Sequence, residues 1–164
     1  MASRSTIASD IVCVLLCGGK GRRMSSDTTH KVCFEIDGIP AIRRSIDSFR
    51  EAGITRFCVV LGAMAGQVIE CIGSRYEGVS FAFQPEAMGT GDATKKGLDV
   101  LRALGHAGPV LVSMGDKIID PDFISEMVSV YNAAHTDLVF ATQPKVLNRH
   151  GGRIVRLPDG RVAG

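Results

Sequence analysis

Apolar positions in this chain come in short dense runs, separated by stretches in which they recur every three or four residues. Ile11 to Leu16, Arg56 to Leu61, Val79 to Phe83, Val110 to Met114 and Leu138 to Ala141 are near-continuous and mostly aliphatic, the pattern of strands buried on both faces. Between them, Ile42, Ile46 and Phe49 share one helical face, opened near Pro40 and closed at Gly53, and Val68, Ile69 and Ile72 suggest a second, shorter helix. A third helix is predicted to start at Thr90 as its cap, carry Leu98, Leu101 and Leu104, and stop at Gly105. Asp120-Pro121 pairs a capping residue with proline at the first helical position and opens a fourth, with Phe123, Ile124, Met127, Val128 and Tyr131 along it. All these stripes read as core packing. Residues 1–10 are polar and predict a frayed, disordered leader, with residues 11–164 forming one domain.

Alternating strands and helices predict an α/β fold with a mostly parallel sheet and helices on both faces. Ligands of such sheets bind beyond the carboxyl ends of the strands. The residues best suited to chemistry do follow strands: Cys17 to Lys31 after the first, Gln84 to Thr90 after the third, and Gly115-Asp116 after the fourth. Three separate loops are therefore expected on one rim.

The first loop reads CGGKGRRM from Cys17 to Met24, with Lys31 further on. Glycines at 18, 19 and 21 let backbone N–H groups approach a ligand, and Lys20, Arg22, Arg23 and Lys31 supply charge opposite to a polyphosphate. It is neither a Walker loop, which needs G-x-x-x-x-G-K-[ST], nor a dinucleotide fingerprint, whose third glycine position is Met24 here. In the second loop, the Gln84 amide offers a donor and an acceptor suited to a base edge, Gly89 permits close backbone approach, and Thr90 adds a hydroxyl. In the third, Asp116 at a strand end suits magnesium, which commonly uses one or two carboxylates plus substrate phosphates.

A formal net charge of +2, with basic residues scattered outside the first loop, gives no reason to expect nucleic acid; small anionic substrates fit better. The five cysteines (13, 17, 33, 58 and 71) form no C-x-x-C pair and read as buried reduced thiols, neither a disulfide framework nor a zinc site. The run after residue 10 is too short to span a bilayer, so no membrane association is expected and the location is read as cytoplasmic. Histidines 30, 106, 135 and 150 share no spacing and are read as ordinary surface or satisfied residues.

LCGGKGRRM followed by HKV resembles the signature L-x-x-G-x-G-T-R-M-x(n)-P-K of the sugar-phosphate nucleotidylyltransferases. Gln84 to Ala93, QPEAMGTGDA, matches that family's Q-x-E-x-x-G-T-G-x-A at every fixed position. The likeness is greatest to the uridylyltransferase (pyrophosphorylase) domains that act on N-acetylglucosamine 1-phosphate, and it extends over most of the chain. Arg22 stands where the family has Thr, and His30 where it has Pro.

The resemblance implies a Rossmann-like nucleotide-diphospho-sugar transferase fold, C-terminally incomplete here. It implies transfer of a nucleotidyl group, uridylyl by the form of the second loop, from an NTP to a sugar 1-phosphate with release of pyrophosphate. Arg23 and Lys31 then take the catalytic roles, on the leaving phosphates and the α-phosphate. Leu16, Cys17, Gly18, Gly19, Gly21, Gln84, Gly89 and Thr90 bind nucleotide, Gly152 contacts the sugar, and Asp116 holds Mg2+. The positions that complete the sugar and metal sites in the family lie beyond Gly164. The competing expectations are a relative using glucose or mannose 1-phosphate with another NTP, and a non-catalytic module that binds nucleotide or partner subunits.

Overall fold

The computed structural model describes residues 8, 10–19, 28–134, 136–142, 144 and 154–162. Of the leader expected over residues 1–10, Ala8 and Asp10 are within this set, and both are helical. Four parallel strands form the central sheet in the order β5-β4-β1-β6: β1 (Val12–Cys17), β4 (Arg56–Leu61), β5 (Val79–Phe83) and β6 (Val110–Met114). The first begins and ends one residue later than the sequence pattern predicted, within ordinary boundary variation. Winding proceeds outward from β1 through β4 to β5, then returns to place β6 on the other side of β1. The topological switch point therefore lies between β1 and β6, where the carboxyl ends open a crevice.

Alternation along the strands builds a core on each face. Cys13, Leu15, Cys17, Phe57, Val59 and Leu61 face helices α1 (Ala41–Glu51), α2 (Ala65–Ile72) and α4 (Pro121–Ala134) through Ile42, Ile46, Phe49, Val68, Ile72 and Ile124. Val12, Val14, Leu16, Cys58 and Val60 face α3 (Thr90–Ala103) through Ala93 and Leu101. Helices thus cover both faces, as the alternation predicted.

Two short strands, β2 (Glu35–Ile36) and β3 (Ile39–Pro40), make an antiparallel hairpin. Its Asp37-Gly38 turn has positive φ at both residues, the geometry whose twist suits a two-residue hairpin.

Three expectations are corrected. Leu138 to Ala141 is not a strand: its side chains line an apolar cleft of about 630 Å³ beside β6 and α4, and its backbone joins no ladder among the described residues. The buried stripe of α3 is Ala93, Gly97 and Leu101 instead of Leu98, Leu101 and Leu104. The helix approaches the sheet so closely that a Cβ on Gly97 would lie 2.8 Å from Val14 Cγ1, while Leu104, past the last helical residue, is 65% exposed. Ile69 and Phe123, also read as core, are exposed, Phe123 lining the same apolar cleft. Asp120 behaves as expected, its Oδ1 accepting from Asp122 N–H at 2.8 Å at the start of α4.

Candidate functional site

Because all four sheet strands run the same way, the segments after β1, β4, β5 and β6 leave from one edge. Gly115 N–H, just past β6, donates to Leu16 O at 3.1 Å, and Gln84 N–H, just past β5, donates to Leu61 O at 2.8 Å. The sheet's own ladder thus holds two of the three predicted loops in register with the first.

Gly18 sits against the Gln84 side chain so tightly that a Cβ there would lie 2.6 Å from Oε1. On its other side, a Cβ at Gly62, just past β4, would collide with the backbone of Gly18. The role of Gly18 is therefore steric: only a bare backbone fits between these neighbours. Gly19 is exposed beside Lys31, whose Cε is 4.0 Å from where a Gly19 Cβ would be. Lys31 Nζ in turn donates to Asp116 Oδ2 at 2.9 Å, across the switch point. Gln84, Gly18, Gly19, Lys31 and Asp116 form one continuous path along the rim.

Gln84 is only 4% exposed. Its Nε2 donates to Asp92 Oδ2 at 2.8 Å and to Gly89 O at 3.2 Å, which leaves Oε1 as the atom turned to Gly18. The amide is thereby fixed in one sense by a carboxylate that the sequence reading passed over. The predicted Thr90 cap is corrected too: the capping position of α3 is Gly89, at φ +96°, with no side-chain cap bond. That conformation is open to glycine and strained for other residues, so the turn itself sets the helix start. Thr90 is the first helical residue, exposed, and its carbonyl accepts from Thr94 Oγ1 at 2.9 Å. The side chains of Leu16 and Cys17 are buried in the core, which leaves their main chain for any ligand contact. Gly21, Arg23 and Gly152 lie outside the described residues, as do Lys20 and Arg22.

Lys31 is presented by a single 3-10 turn, Lys31–Cys33, whose cap is His30. His30 is 2% exposed and its Nε2 has no hydrogen-bond partner, so the reading of this histidine as an ordinary surface or satisfied residue is corrected. Nδ1 accepts from Val32 N–H at 3.3 Å, and His30 N–H donates to Gln67 Oε1 at 2.7 Å. Gln67 Nε2 donates to Thr28 O at 2.8 Å, so one amide holds the chain at the histidine and two residues before it. His106 is partly buried and its ring contacts Pro109 O at 3.1 Å, while His135 and His150 lie outside the described residues.

Burial is the largest cause pushing the His30 pKa below its ordinary 6.5. The sign follows from linkage. The unfolded chain takes up a proton near pH 6.5 and the folded chain resists it, so this residue's stabilisation is complete above that pH and lost as pH falls below it. The melting temperature is expected to drop between pH 7.5 and 5.5, with a shallower slope in His30→Asn; equal slopes in both proteins would contradict the assignment.

Cys13, Cys17 and Cys58 are buried and Cys33 and Cys71 partly so, and all five are free thiols. Burial pushes Cys17 up to about 12 against the opposing pull of Lys31, so this thiol at the rim stays protonated. Among the described residues, no group of three or more His, Cys, Asp or Glu is placed to hold a metal ion. Asp116 nevertheless fits a magnesium ion that keeps waters and substrate phosphates as its remaining ligands. The apolar cleft beside β6 and α4 carries no comparable set of polar groups and is not the candidate site. No helix among the described residues is long and apolar enough to cross a membrane.

Residues 13–151 match the family described as the MobA-like NTP transferase domain. The bifunctional protein GlmU of Geobacter metallireducens is 35% identical over 155 residues, covering 93% of this chain and 32% of that protein. The chain thus spans about a third of the length of such relatives. Among solved structures, a nucleotidyl transferase from Methanothermobacter superposes with a TM-score of 0.56 at 21% identity, covering 73% of this chain and 56% of the other. Rv0371c from Mycobacterium tuberculosis superposes with a TM-score of 0.60 at 19% identity, covering 77% and 62%.

Proposed function

The chain belongs to the MobA-like NTP transferase family, and from that premise we propose that it transfers a uridylyl group from UTP to a sugar 1-phosphate, N-acetylglucosamine 1-phosphate first among them. The observation that carries this reading is the unbroken path from Gln84 through Gly18 to the Lys31–Asp116 pair on one rim. It sets a base-reading amide, a loop with room for close backbone approach, a cation and a carboxylate in the order a magnesium triphosphate would need.

An oxygen of the sugar 1-phosphate bonds to the α-phosphorus of the triphosphate while the bond from that phosphorus to its bridging oxygen breaks. Pyrophosphate leaves with the electron pair. The phosphate is already a nucleophile, so the protein's work is to align two anions and offset their repulsion. Lys31 directs its ammonium to the α-phosphate, and Arg23 takes the leaving phosphates. Asp116 would hold magnesium together with the phosphates, and that ion supplies stabilisation of the charge that builds in the transition state. Gln84 supports uracil: with its Nε2 taken by Asp92, the amide presents its oxygen beside Gly18, an acceptor for the N3–H of uracil with nothing to offer the N3 lone pair of cytosine. Gly152 is proposed to touch the sugar. Reduced thiols and nucleotide substrates suit a cytoplasmic enzyme.

The test is release of pyrophosphate by the full-length protein with magnesium, across four NTPs and a panel of sugar 1-phosphates. Turnover restricted to UTP with N-acetylglucosamine 1-phosphate supports the reading in full. Turnover with another pair overturns the substrate assignment, and no turnover with any pair overturns the enzyme in favour of a binding module.

A further inference from the structure

His30 carries an unused hydrogen-bonding atom at the centre of the site. Its Nδ1 is occupied as an acceptor by Val32 N–H, so the neutral ring has its proton on Nε2. Nε2 is buried and reaches no hydrogen-bond partner, which makes it a donor out of water with nothing to donate to. Such a group is costly unless another state satisfies it. Cys17 packs in the same core cluster as Val32, and Gly19 lies beside Lys31; their carbonyls are near enough to favour the protonated ring, yet neither meets Nε2 at hydrogen-bond geometry. The charged groups facing it are Lys31 and Asp116.

The acceptors within reach of the donor are thus those at the end of β1, while the other ring nitrogen holds the turn that presents Lys31. We infer that His30 is a positioning residue: its ring couples the loop after β1 to the Lys31 turn, and Nε2–H closes onto a carbonyl of Cys17 or Gly19 when a triphosphate seats in the loop. The hydrogen bond left unmade in the free protein is made in the bound one, so it adds to triphosphate affinity and not to the stability of the free chain. This rests on the proposal that the rim binds a nucleoside triphosphate. It goes beyond that proposal in giving a role to a residue that stands where the resembled family has proline.

Two substitutions separate the two nitrogens. In His30→Asn the side-chain oxygen can still cap the turn at Val32, but nothing reaches the position of Nε2. In His30→Gln an amide N–H can reach it. In the full-length protein, His30→Asn is expected to raise the KM for the triphosphate about ten-fold, with kcat and the KM for the sugar phosphate nearly unchanged, and His30→Gln to recover most of that loss. A second readout does not depend on turnover: on adding UTP with magnesium, amide exchange across Cys17 to Gly19 should slow more in the wild-type protein than in His30→Asn. Equal KM values and equal protection in wild type and His30→Asn would overturn the inference while leaving the proposed function intact. Protection in neither protein, with no turnover in the wild type, would overturn both. A uniform loss in both variants with lowered melting temperature would show a purely structural histidine and overturn the inference too.

Discussion

Lys31→Ala is expected to lower pyrophosphate release by about 10²–10³-fold, the scale seen when one preorganised charge-stabilising group is removed, while leaving the folded protein almost as stable as before. The contrast between the two effects comes from where the lysine sits. Its side chain is 16% exposed and pairs at 2.9 Å with an Asp116 side chain that is 34% exposed, a rim ion pair of the kind worth about 0–1 kcal/mol to folding. Loss of that pair moves the melting temperature by only a few degrees at most. At the reaction centre the same ammonium is the one paired with Asp116 across the switch point. Steady-state assay beside thermal denaturation checks this. A stability loss with an unchanged rate would make Lys31 a structural partner of Asp116 and remove it from the mechanism.

Gly62→Ala should cost both affinity and stability, through a contact that involves no ligand. A methyl at this position runs into the backbone of Gly18, which is itself pressed against Gln84 Oε1. The chain can relieve the clash by moving the first loop outward or by parting the ends of β1 and β4. Overpacking of this kind costs about 1–3 kcal/mol, or a fall of roughly 2–10 °C in melting temperature for a domain of this size. The loop displacement is expected to raise the KM for the triphosphate by at least about ten-fold, since misplacement on the ångström scale is enough for losses of that order. Measured values near wild type for both quantities would show that Gly62 has more room than its neighbours leave it.

Much of this arrangement was legible in the residues, and the misses have physical reasons. The strands at 56–61, 79–83 and 110–114 were readable as unbroken apolar runs, although only the first is buried along most of its length and the other two lie at the sheet edges. Once those strands were parallel, the loops after them had to share an edge, so the convergence of Gly18, Gln84 and Asp116 followed from topology. The run at 138–141 has the same composition as a strand, but composition records only that its side chains seek cover. They line the cleft beside β6 without a ladder and stay largely open, Leu138 at 70% and Phe140 at 47% exposure.

The α3 stripe was misread because Gly97 carries no hydrophobic signal. A helix lying tightly on Val14 and Val60 shows its contact face by what is missing there. The hairpin at β2 and β3 was signalled by Asp37-Gly38 between two isoleucines and could have been found. Asp92, Gly62 and Gln67 act by holding Gln84, Gly18 and His30 in place, and their partners are 8, 44 and 37 positions away in the chain. Pairings of that kind leave no local pattern in the sequence.

The most direct measurement of the central claim is an amide chemical-shift map of the protein titrated with UTP and magnesium. The account predicts that Gly18, Gly19, Gln84, Gly89, Gly115 and Asp116 shift together with one dissociation constant. Shifts confined to one of the three loops, or centred on the cleft beside β6 and α4, would contradict it.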